Sequence, residues 1–503
     1  MKRPGPIISN RKRNASILAI IVLLFVGTFS LQRIEGLPAT LAEYQNQTLS
    51  WSPCYDNFDC SYLQVPIDYR SLSLGRFKLR ILRHKALEQK NRIGALVINP
   101  GGPGASGVEY AYNAEYIFSA NLLQKYDIVG FDPRGIGESA PIRCLTDQET
   151  DASYAADSKP NNEKELTLLI KQVHEYANKC ESRTKNVIHY GTVDSARDMD
   201  LLRATLKEKK LNYLGVSYGT YLGTLYAQLF PNNVGRMVLD GAVSPNLNSE
   251  EQNLKQAIGF DKALDAFISD CFLKKDCPLQ QPLGEARGEI IALFNSSAKS
   301  PLKSSSGRAV TESLIVLGTA SALYDPSSGW PQLRVGLREA KTGNGRTLLS
   351  LADDYSRRRT DGTYSSNETD AAFVIDCLDW RGARLTTSIK EHAEKFLAEA
   401  PVFGPYLAYS GLSCQFLPAT SQDVIREIVT TPIIIIGTTR DPATPYKWAE
   451  ELHKIIQNSR LITFEADGHT GYGHGSTCVD SAVDSYFLMG ILPTSDLTCK
   501  SPV

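Results

Sequence analysis

The chain has 503 residues, of which 42% are hydrophobic and 22% charged, as in a globular protein and unlike a disordered one. Its 54 Lys and Arg residues nearly balance its 55 Asp and Glu residues, which leaves a formal net charge of -1. The composition shows no excess of basic residues that would bind the phosphates of a nucleic acid, so we exclude nucleic acid as a partner. The length allows a large core, or a core domain that carries an inserted one.

Residues 1–36 have the pattern of an export signal. Five basic residues between Lys2 and Arg13 precede an almost entirely apolar run, Ile17–Phe29. This run is short for a membrane span of about 20 residues and fits the apolar region of a signal peptide. The alternative is an uncleaved signal anchor that holds the protein on the membrane through residues 17–31. Either way the remaining chain is exported, so we predict a secreted or cell-surface protein.

Ten cysteines agree with export, because an even number of cysteines in an exported chain favours disulfides. No Cys-x-x-Cys pair is present, so neither a zinc ribbon nor a thioredoxin-like redox site is indicated. The sequence does not determine the pairing, and our hypothesis is that sequence neighbours pair. The predicted disulfides are then Cys54 with Cys60, Cys144 with Cys180, Cys271 with Cys277, Cys377 with Cys414, and Cys478 with Cys499.

Short apolar runs separated by turns predict a mostly parallel β-sheet. The segment Phe77–His84 alternates apolar with basic residues, as a half-exposed edge strand would. The next runs are continuously apolar, which is typical of strands buried on both faces. They cover Ala95–Asn99, Tyr126–Phe131, Leu211–Val216 and Met237–Asp240. Helical stretches such as Val193–Lys209 alternate with them, which favours a doubly wound α/β fold.

The alternation stops after Pro245. From residue 246 to about 425 the pattern is helical and polar, and strand patterns return at Pro432–Gly437 and Leu461–Phe464. A helical block between two strands of one sheet predicts an inserted lid over residues 246–425, between the core segments 37–245 and 426–503. The alternative is two separate domains. We favour insertion because the candidate catalytic residues described below follow both early and late strands, and they must meet in one site.

Ser217 stands in a Gly-x-Ser-x-Gly pentapeptide, Gly215–Gly219, between an apolar strand and the helical run Thr220–Phe230. The pentapeptide alone is a weak signal, because chance gives one in roughly one of six chains of this length. Its place between a strand and a helix is that of a nucleophile elbow, where a strained turn exposes the serine hydroxyl. We therefore predict Ser217 as a nucleophile.

A serine hydroxyl needs a base that takes its proton. Among the seven histidines, His469 lies just past the last predicted strand, and His474 is the alternative. Asp441 follows the penultimate predicted strand and would orient the imidazole and stabilise the imidazolium. The order Ser, Asp, His is that of the α/β-hydrolase fold and of neither the chymotrypsin nor the subtilisin type.

A glycine-rich segment supplies the predicted oxyanion hole. Asn99–Gly104 (NPGGPG) directly follows the strand Ala95–Asn99. Glycines let the main chain approach a substrate, so that its N–H groups point at the developing oxyanion. We predict the N–H groups of Gly102 and Tyr218 as the two donors.

With these motifs placed, the chain resembles the proline iminopeptidase and tripeptidyl aminopeptidase group of α/β-hydrolases, from about Trp51 to Cys499. The similarity includes Asn99–Gly104, Phe131–Ser139 (FDPRGIGES), Thr192–Arg203 (TVDSARDMDLLR) and the Asp-x-x-Thr-Pro of residues 441–445. The resemblance implies an aminopeptidase that hydrolyses peptides from a free N-terminus, without a metal or organic cofactor. The alternatives are a carboxylesterase or lipase with the same triad, and a non-catalytic binding protein on this scaffold. We expect a monomer.

A free N-terminus carries an ammonium group, which needs a fixed carboxylate in a partly dry site. In Phe373–Trp380 (FVIDCLDW), Asp376 and Asp379 lie three residues apart in an apolar run and would share one face of a helix. The resemblance points to Asp379 first, because relatives have a similar Cys-x-Asp element. The alternative is that both acids cap a helix or pair with Arg381 or Arg384.

Overall fold

The computed structural model describes residues 38–380, 389–417 and 425–501. The leader, with its predicted signal or anchor, lies outside the described residues, and so do Arg381 and Arg384. Within the described ranges, no helix combines the length and the apolar character that crossing a membrane needs.

The described residues build one ten-stranded sheet. Its strands are β1 (Ser52–Cys54), β2 (Phe58–Asp68), β3 (Ser71–His84), β4 (Gly94–Asn99), β5 (Tyr126–Phe131), β6 (Leu211–Val216), β7 (Val234–Asp240), β8 (Ile433–Arg440), β9 (Arg460–Asp467) and β10 (Leu497–Lys500). Their order is β1-β2-β3-β5-β4-β6-β7-β8-β9-β10. Strands β4 to β10 run parallel, and β1 to β3 pair antiparallel at one edge. The predicted mostly parallel sheet is confirmed.

Helices cover both faces of this sheet. Those before the end of β7 are α1 (Leu41–Gln45), α2 (Gly107–Tyr112), α3 (Ala114–Ile117), α4 (Ala120–Lys125), α5 (Asp147–Ala155), α6 (Glu163–Arg183), α7 (Thr192–Thr205) and α8 (Tyr218–Leu229). Successive side chains of a strand point to opposite faces. In β4, Val97 packs on the face covered by α7 and α8, whereas Leu96 and Ile98 pack on the face covered by α2 and α4. Burial on both faces explains the continuous apolar runs and the doubly wound fold.

Between β7 and β8 the described residues are mostly helical, and we call this part the helical insertion. Its helices are α9 (Ser249–Phe272), α10 (Leu283–Lys299), α11 (Glu312–Ala322), α12 (Gly329–Ala340), α13 (Arg346–Tyr355), α14 (Glu368–Asp379), α15 (Ile389–Glu399) and α16 (Gly404–Leu407). After it, α17 (Tyr446–Ile455) follows β8 and α18 (Thr477–Met489) follows β9.

The helical insertion does not pack as one unit. Helices α9 to α13 bury an apolar cluster of their own, which includes Phe267 and Leu333. Helix α14 instead places Val374 and Leu378 in the cluster that α7 and α8 form with the sheet. The boundaries 246–425 stay a prediction, and α14 within them packs with the core.

All ten cysteines lie within the described residues and form five disulfides between sequence neighbours. The predicted pairing is confirmed. Cys377–Cys414 joins α14 to the 3-10 helix Ser410–Phe416, close to where the chain returns to the sheet. Disulfides in this number are typical of an extracytoplasmic protein.

Two of the sequence motifs meet in a buried ion pair. Arg134, in the turn Phe131–Ser139, donates to both carboxylate oxygens of Asp198 in α7, at 2.8 and 2.7 Å. Neither side chain is exposed to solvent. The Tyr69 hydroxyl donates to the same carboxylate at 2.7 Å. These two motifs therefore have a structural role, because they join the loop after β5 to α7.

Candidate active site

Ser217 lies in the turn between β6 and α8. Its backbone has φ 54° and ψ -124°, a strained conformation for a residue other than glycine. Its N–H donates to the carbonyl oxygen of Asp240 at 2.8 Å, which attaches the turn to the end of β7. A Cβ at Gly215 would lie only 2.3 Å from the carbonyl oxygen of Gly219, so this tight turn requires glycine there. This is the geometry expected of a nucleophile elbow.

Asp441 and His469 are in direct contact at the same end of the sheet. Asp441 follows β8, and His469 lies just beyond β9. The Nδ1 atom of His469 is 2.9 and 2.8 Å from the two carboxylate oxygens of Asp441. An Nδ1–H donated to this carboxylate leaves Nε2 able to accept a proton. The alternative base, His474, has its Nε2 3.0 Å from the hydroxyl oxygen of Thr470.

Several donors hold the Asp441 carboxylate in place. The N–H groups of Ala443 and Thr444 lie 2.9 and 2.8 Å from it, and the Thr444 hydroxyl donates to it at 2.9 Å. Burial lowers the pKa of His469, but the Asp441 carboxylate and its hydrogen bond outweigh burial and raise that pKa above its ordinary value. The arrangement therefore stabilises the imidazolium that forms when His469 accepts a proton. In the sequence, Thr444 stands out only as the threonine of the Asp-x-x-Thr-Pro motif.

Asp240, which the sequence analysis missed as a site residue, connects the elbow to the histidine loop. Its buried carboxylate accepts the N–H groups of Gly471 and Tyr472 at 3.0 and 2.8 Å. Burial raises the pKa of this carboxyl group to about 6, although these hydrogen bonds oppose the shift. A Cβ at the next residue, Gly241, would lie 3.2 Å from Cε1 of His469. The sequence did offer a signal for Asp240, because an acid at the end of a buried strand corresponds to the position of Asp441 after β8.

The predicted oxyanion donors border the same space as Ser217. A Cβ at Gly101 would lie 2.9 Å from Cβ of Ser217 and 3.1 Å from the nitrogen of Tyr218, so glycine permits this close approach. Tyr218 begins α8, and the first N–H groups of a helix point at anions rather than at intrahelical acceptors. Gly102, Ser217 and Tyr218 line one cavity.

This cavity has a volume of about 500 Å³ and lies between the core and the helical insertion. The insertion contributes aromatic side chains to its wall, including Phe260 and Tyr324, and α14 contributes Asp376. An apolar cavity with a few convergent polar groups is typical of a substrate site.

The two acids of α14 have different surroundings. Asp376 lines the cavity, and burial raises its pKa to about 7, with a further contribution from Asp379. The Trp380 indole N–H donates to Asp376 at 3.2 Å and opposes this shift. Asp379 accepts the N–H of Thr192 at 2.8 Å and also the Thr192 hydroxyl, so it caps the start of α7. Of the two predicted acids, Asp376 is the one that lines the cavity.

Residues 94–475 match the family model described as alpha/beta hydrolase fold. The chain belongs to the alpha/beta hydrolase fold family. It is 34% identical to serine protease Hip1 of Mycobacterium tuberculosis, over 96% of both proteins. It is 33% identical to the tripeptidyl aminopeptidase of Streptomyces lividans, over 92% of this chain and 89% of that protein. It is also 36% identical to carboxylesterase B of Mycobacterium tuberculosis, over 88% of this chain and 86% of that protein.

Family membership and these relatives make the chain a serine hydrolase. They also confirm the predicted fold and the resemblance to the tripeptidyl aminopeptidase group.

Proposed function

We propose that this hydrolase is a secreted or cell-surface aminopeptidase, which releases short fragments from the free N-terminus of a peptide. Relatives named serine protease and tripeptidyl aminopeptidase support a peptide substrate. The export pattern of residues 1–36 and the five disulfides support a location outside the cytoplasm.

The carboxyl group of Asp376 is the observation on which aminopeptidase activity rests. Its side chain accepts the Trp380 indole N–H, and within the described residues it forms no ion pair with a cation. Burial is the main cause of its high pKa, and the Asp379 carboxylate raises that pKa further. A substrate ammonium group in the cavity would supply the missing positive charge. Its attraction to the carboxylate would offset the solvation free energy that the ammonium group loses on burial.

The chemistry follows from the residues around Ser217. Ser217 Oγ attacks the acyl carbonyl carbon while Nε2 of His469 takes the hydroxyl proton, and Asp441 stabilises the imidazolium. The N–H groups of Gly102 and Tyr218 bind the tetrahedral oxyanion. His469 then gives its proton to the leaving amine. A water molecule, deprotonated by the same imidazole, hydrolyses the acyl-enzyme and restores the Ser217 hydroxyl.

The cavity also suggests how fragment length is limited. Asp376 would hold the amino end and Ser217 would hold the scissile carbonyl, and both residues line the same cavity of about 500 Å³. The spacing between the two groups therefore sets how many residues lie between the N-terminus and the cleaved bond. A cavity of this size admits a short peptide fragment.

Asp376→Asn tests this proposal, because it removes the charge and keeps the shape. KM for tripeptide anilides with a free amine should rise about tenfold or more, since the ammonium group loses its buried partner. Hydrolysis of a simple acetate ester, and of the same anilides with an acetylated N-terminus, should change little. Asp361→Asn, at an exposed acid of the helical insertion, is the matched control. Equal losses on free-amine and ester substrates would mean that Asp376 supports the fold or the triad, and the amino-binding proposal would fail.

A carboxylesterase is the second candidate, because carboxylesterase B is also similar over most of its length and a serine triad hydrolyses esters equally well. The ratio of kcat/KM for p-nitrophenyl esters to that for tripeptide anilides separates the two activities. Rapid ester hydrolysis without any cleavage of free-amine peptides would favour the esterase. A non-catalytic binding protein is disfavoured, because Ser217, Asp441 and His469 are all present.

A further inference from the structure

The helical insertion supplies a residue that contacts the histidine of the core. Tyr324 lies just after α11, and its carbonyl oxygen accepts the N–H of His469 at 2.8 Å. Its ring packs against the imidazole, with centroids 5.3 Å apart and planes at 85°. The backbone and the ring of one residue therefore contact the same histidine.

Gly468 shows how tightly the two segments fit. It has a φ of 99°, and a Cβ there would lie 2.7 Å from Cδ of Pro326 and 3.0 Å from the carbonyl oxygen of Tyr324. Backbone and a proline ring cannot move aside as a flexible side chain can. The histidine loop is therefore shaped to receive the segment Tyr324–Pro326.

Other helices of the insertion hold Tyr324. Its ring packs against Phe260 of α9 and Tyr355 of α13, each at 5.8 Å between centroids. Tyr324 lines the cavity beside Ser217 as well. Its position therefore depends on how the helical insertion sits over the core.

We propose that Tyr324 is a positioning residue for His469, so that the imidazole is oriented and shielded from water only while the helical insertion is seated on the core. The carbonyl holds the loop, and the ring limits rotation of the imidazole and covers it. Displacement of the insertion would remove both contacts at once. Turnover is thereby coupled to the seating of the insertion. The proposal rests on His469 as the base, and it does not depend on an aminopeptidase substrate.

Substitution of the ring tests this role, with a simple acetate ester as substrate. Tyr324→Phe keeps the ring and should keep kcat within a few-fold of wild type. Tyr324→Leu should lower kcat about 10- to 100-fold with little change in KM, because a misoriented base slows the chemical step. In the pH profile of kcat, the acid limb, where kcat falls as pH drops, should also move to higher pH in the leucine variant. Burial lowers the pKa of His469, so water admitted by loss of the ring would raise that pKa.

Phe267→Leu is the control for a loss of stability inside the insertion, away from Tyr324 and its contact with His469. Phe267 is fully buried in the insertion's own cluster, where its ring contacts Trp330. This variant should lower Tm while kcat and the acid limb stay as in wild type. Wild-type kcat and an unmoved acid limb in Tyr324→Leu would overturn the proposal. The same kinetic changes in Phe267→Leu would overturn it too, because the effect would then not belong to Tyr324. Ester hydrolysis that survives in His469→Ala would reject the base itself.

Discussion

His469 is held from two directions, by the Asp441 carboxylate on its Nδ1 and by the Tyr324 carbonyl on its backbone N–H. His474 lies on the same loop but contacts a threonine hydroxyl instead. We expect His469→Ala to lower kcat about 10⁴- to 10⁶-fold, as Ser217→Ala should, because triad members act as a unit. His474→Ala should retain most of the activity. Both are measured as kcat on an ester substrate, and inactivity of His474→Ala alone would move the base to that residue.

The pH dependence of kcat and of KM is also expected to depend on single residues. His469 must be neutral to accept the Ser217 proton, and Asp441 raises its pKa, so kcat should fall as pH drops through a midpoint above about 6.5. Asp376 must be ionised to hold an ammonium group, and its pKa is about 7. KM for free-amine substrates should therefore rise as pH falls below about 7, whereas KM for acetate esters should stay flat. A parallel rise of both KM values would contradict the assignment to Asp376.

At the scale of elements, the ion pair between Arg134 and Asp198 joins the loop after β5 to α7. Asp198→Ala would leave the buried guanidinium with the Asp194 carboxylate at 3.6 Å as its remaining ion-pair partner, and should lower the free energy of unfolding by about 3–5 kcal/mol. Urea unfolding measures this loss, and Glu181→Ala, at an exposed acid of α6, serves as the control. A loss no larger than that of the control would show that Arg134 finds compensation elsewhere.

The strands also differ in how well they could be predicted from the sequence. Strands β4 to β9 were found because both faces of each are covered, which leaves a continuous apolar run in the sequence. Strands β1, β2 and β10 were missed. The first has only three residues, β2 includes Pro66, and β10 has four residues that are largely exposed at the sheet edge. The edge strands β1 and β10 bury little, so their sequences carry no strong apolar pattern.

At the scale of the whole molecule, the disulfide Cys377–Cys414 connects the helix that carries Asp376 to the chain returning to the sheet. The double variant Cys377→Ser with Cys414→Ser should lower the free energy of unfolding by about 2–5 kcal/mol. KM for free-amine substrates should rise more than KM for esters, because α14 carries Asp376, the proposed amino-binding residue, and not the triad. Equal changes in both KM values would place the effect on the whole site. Loss of the Cys271–Cys277 disulfide, within the insertion's own cluster, is the comparison.

The sequence by itself determined the parallel core, the elbow at Ser217 and the order of serine, aspartate and histidine, because each depends on a strand and the loop directly after it. Sequence proximity also led to the cysteine pairs that the structure contains. Only the tertiary structure decided which acid of α14 borders the cavity, because residues three apart share a helix face and the packing of α14 against α7 selects between them. It also decided that Tyr324 contacts His469. That contact depends on how the helical insertion docks on the core, and a pattern of neighbouring residues carries no information about docking between distant segments.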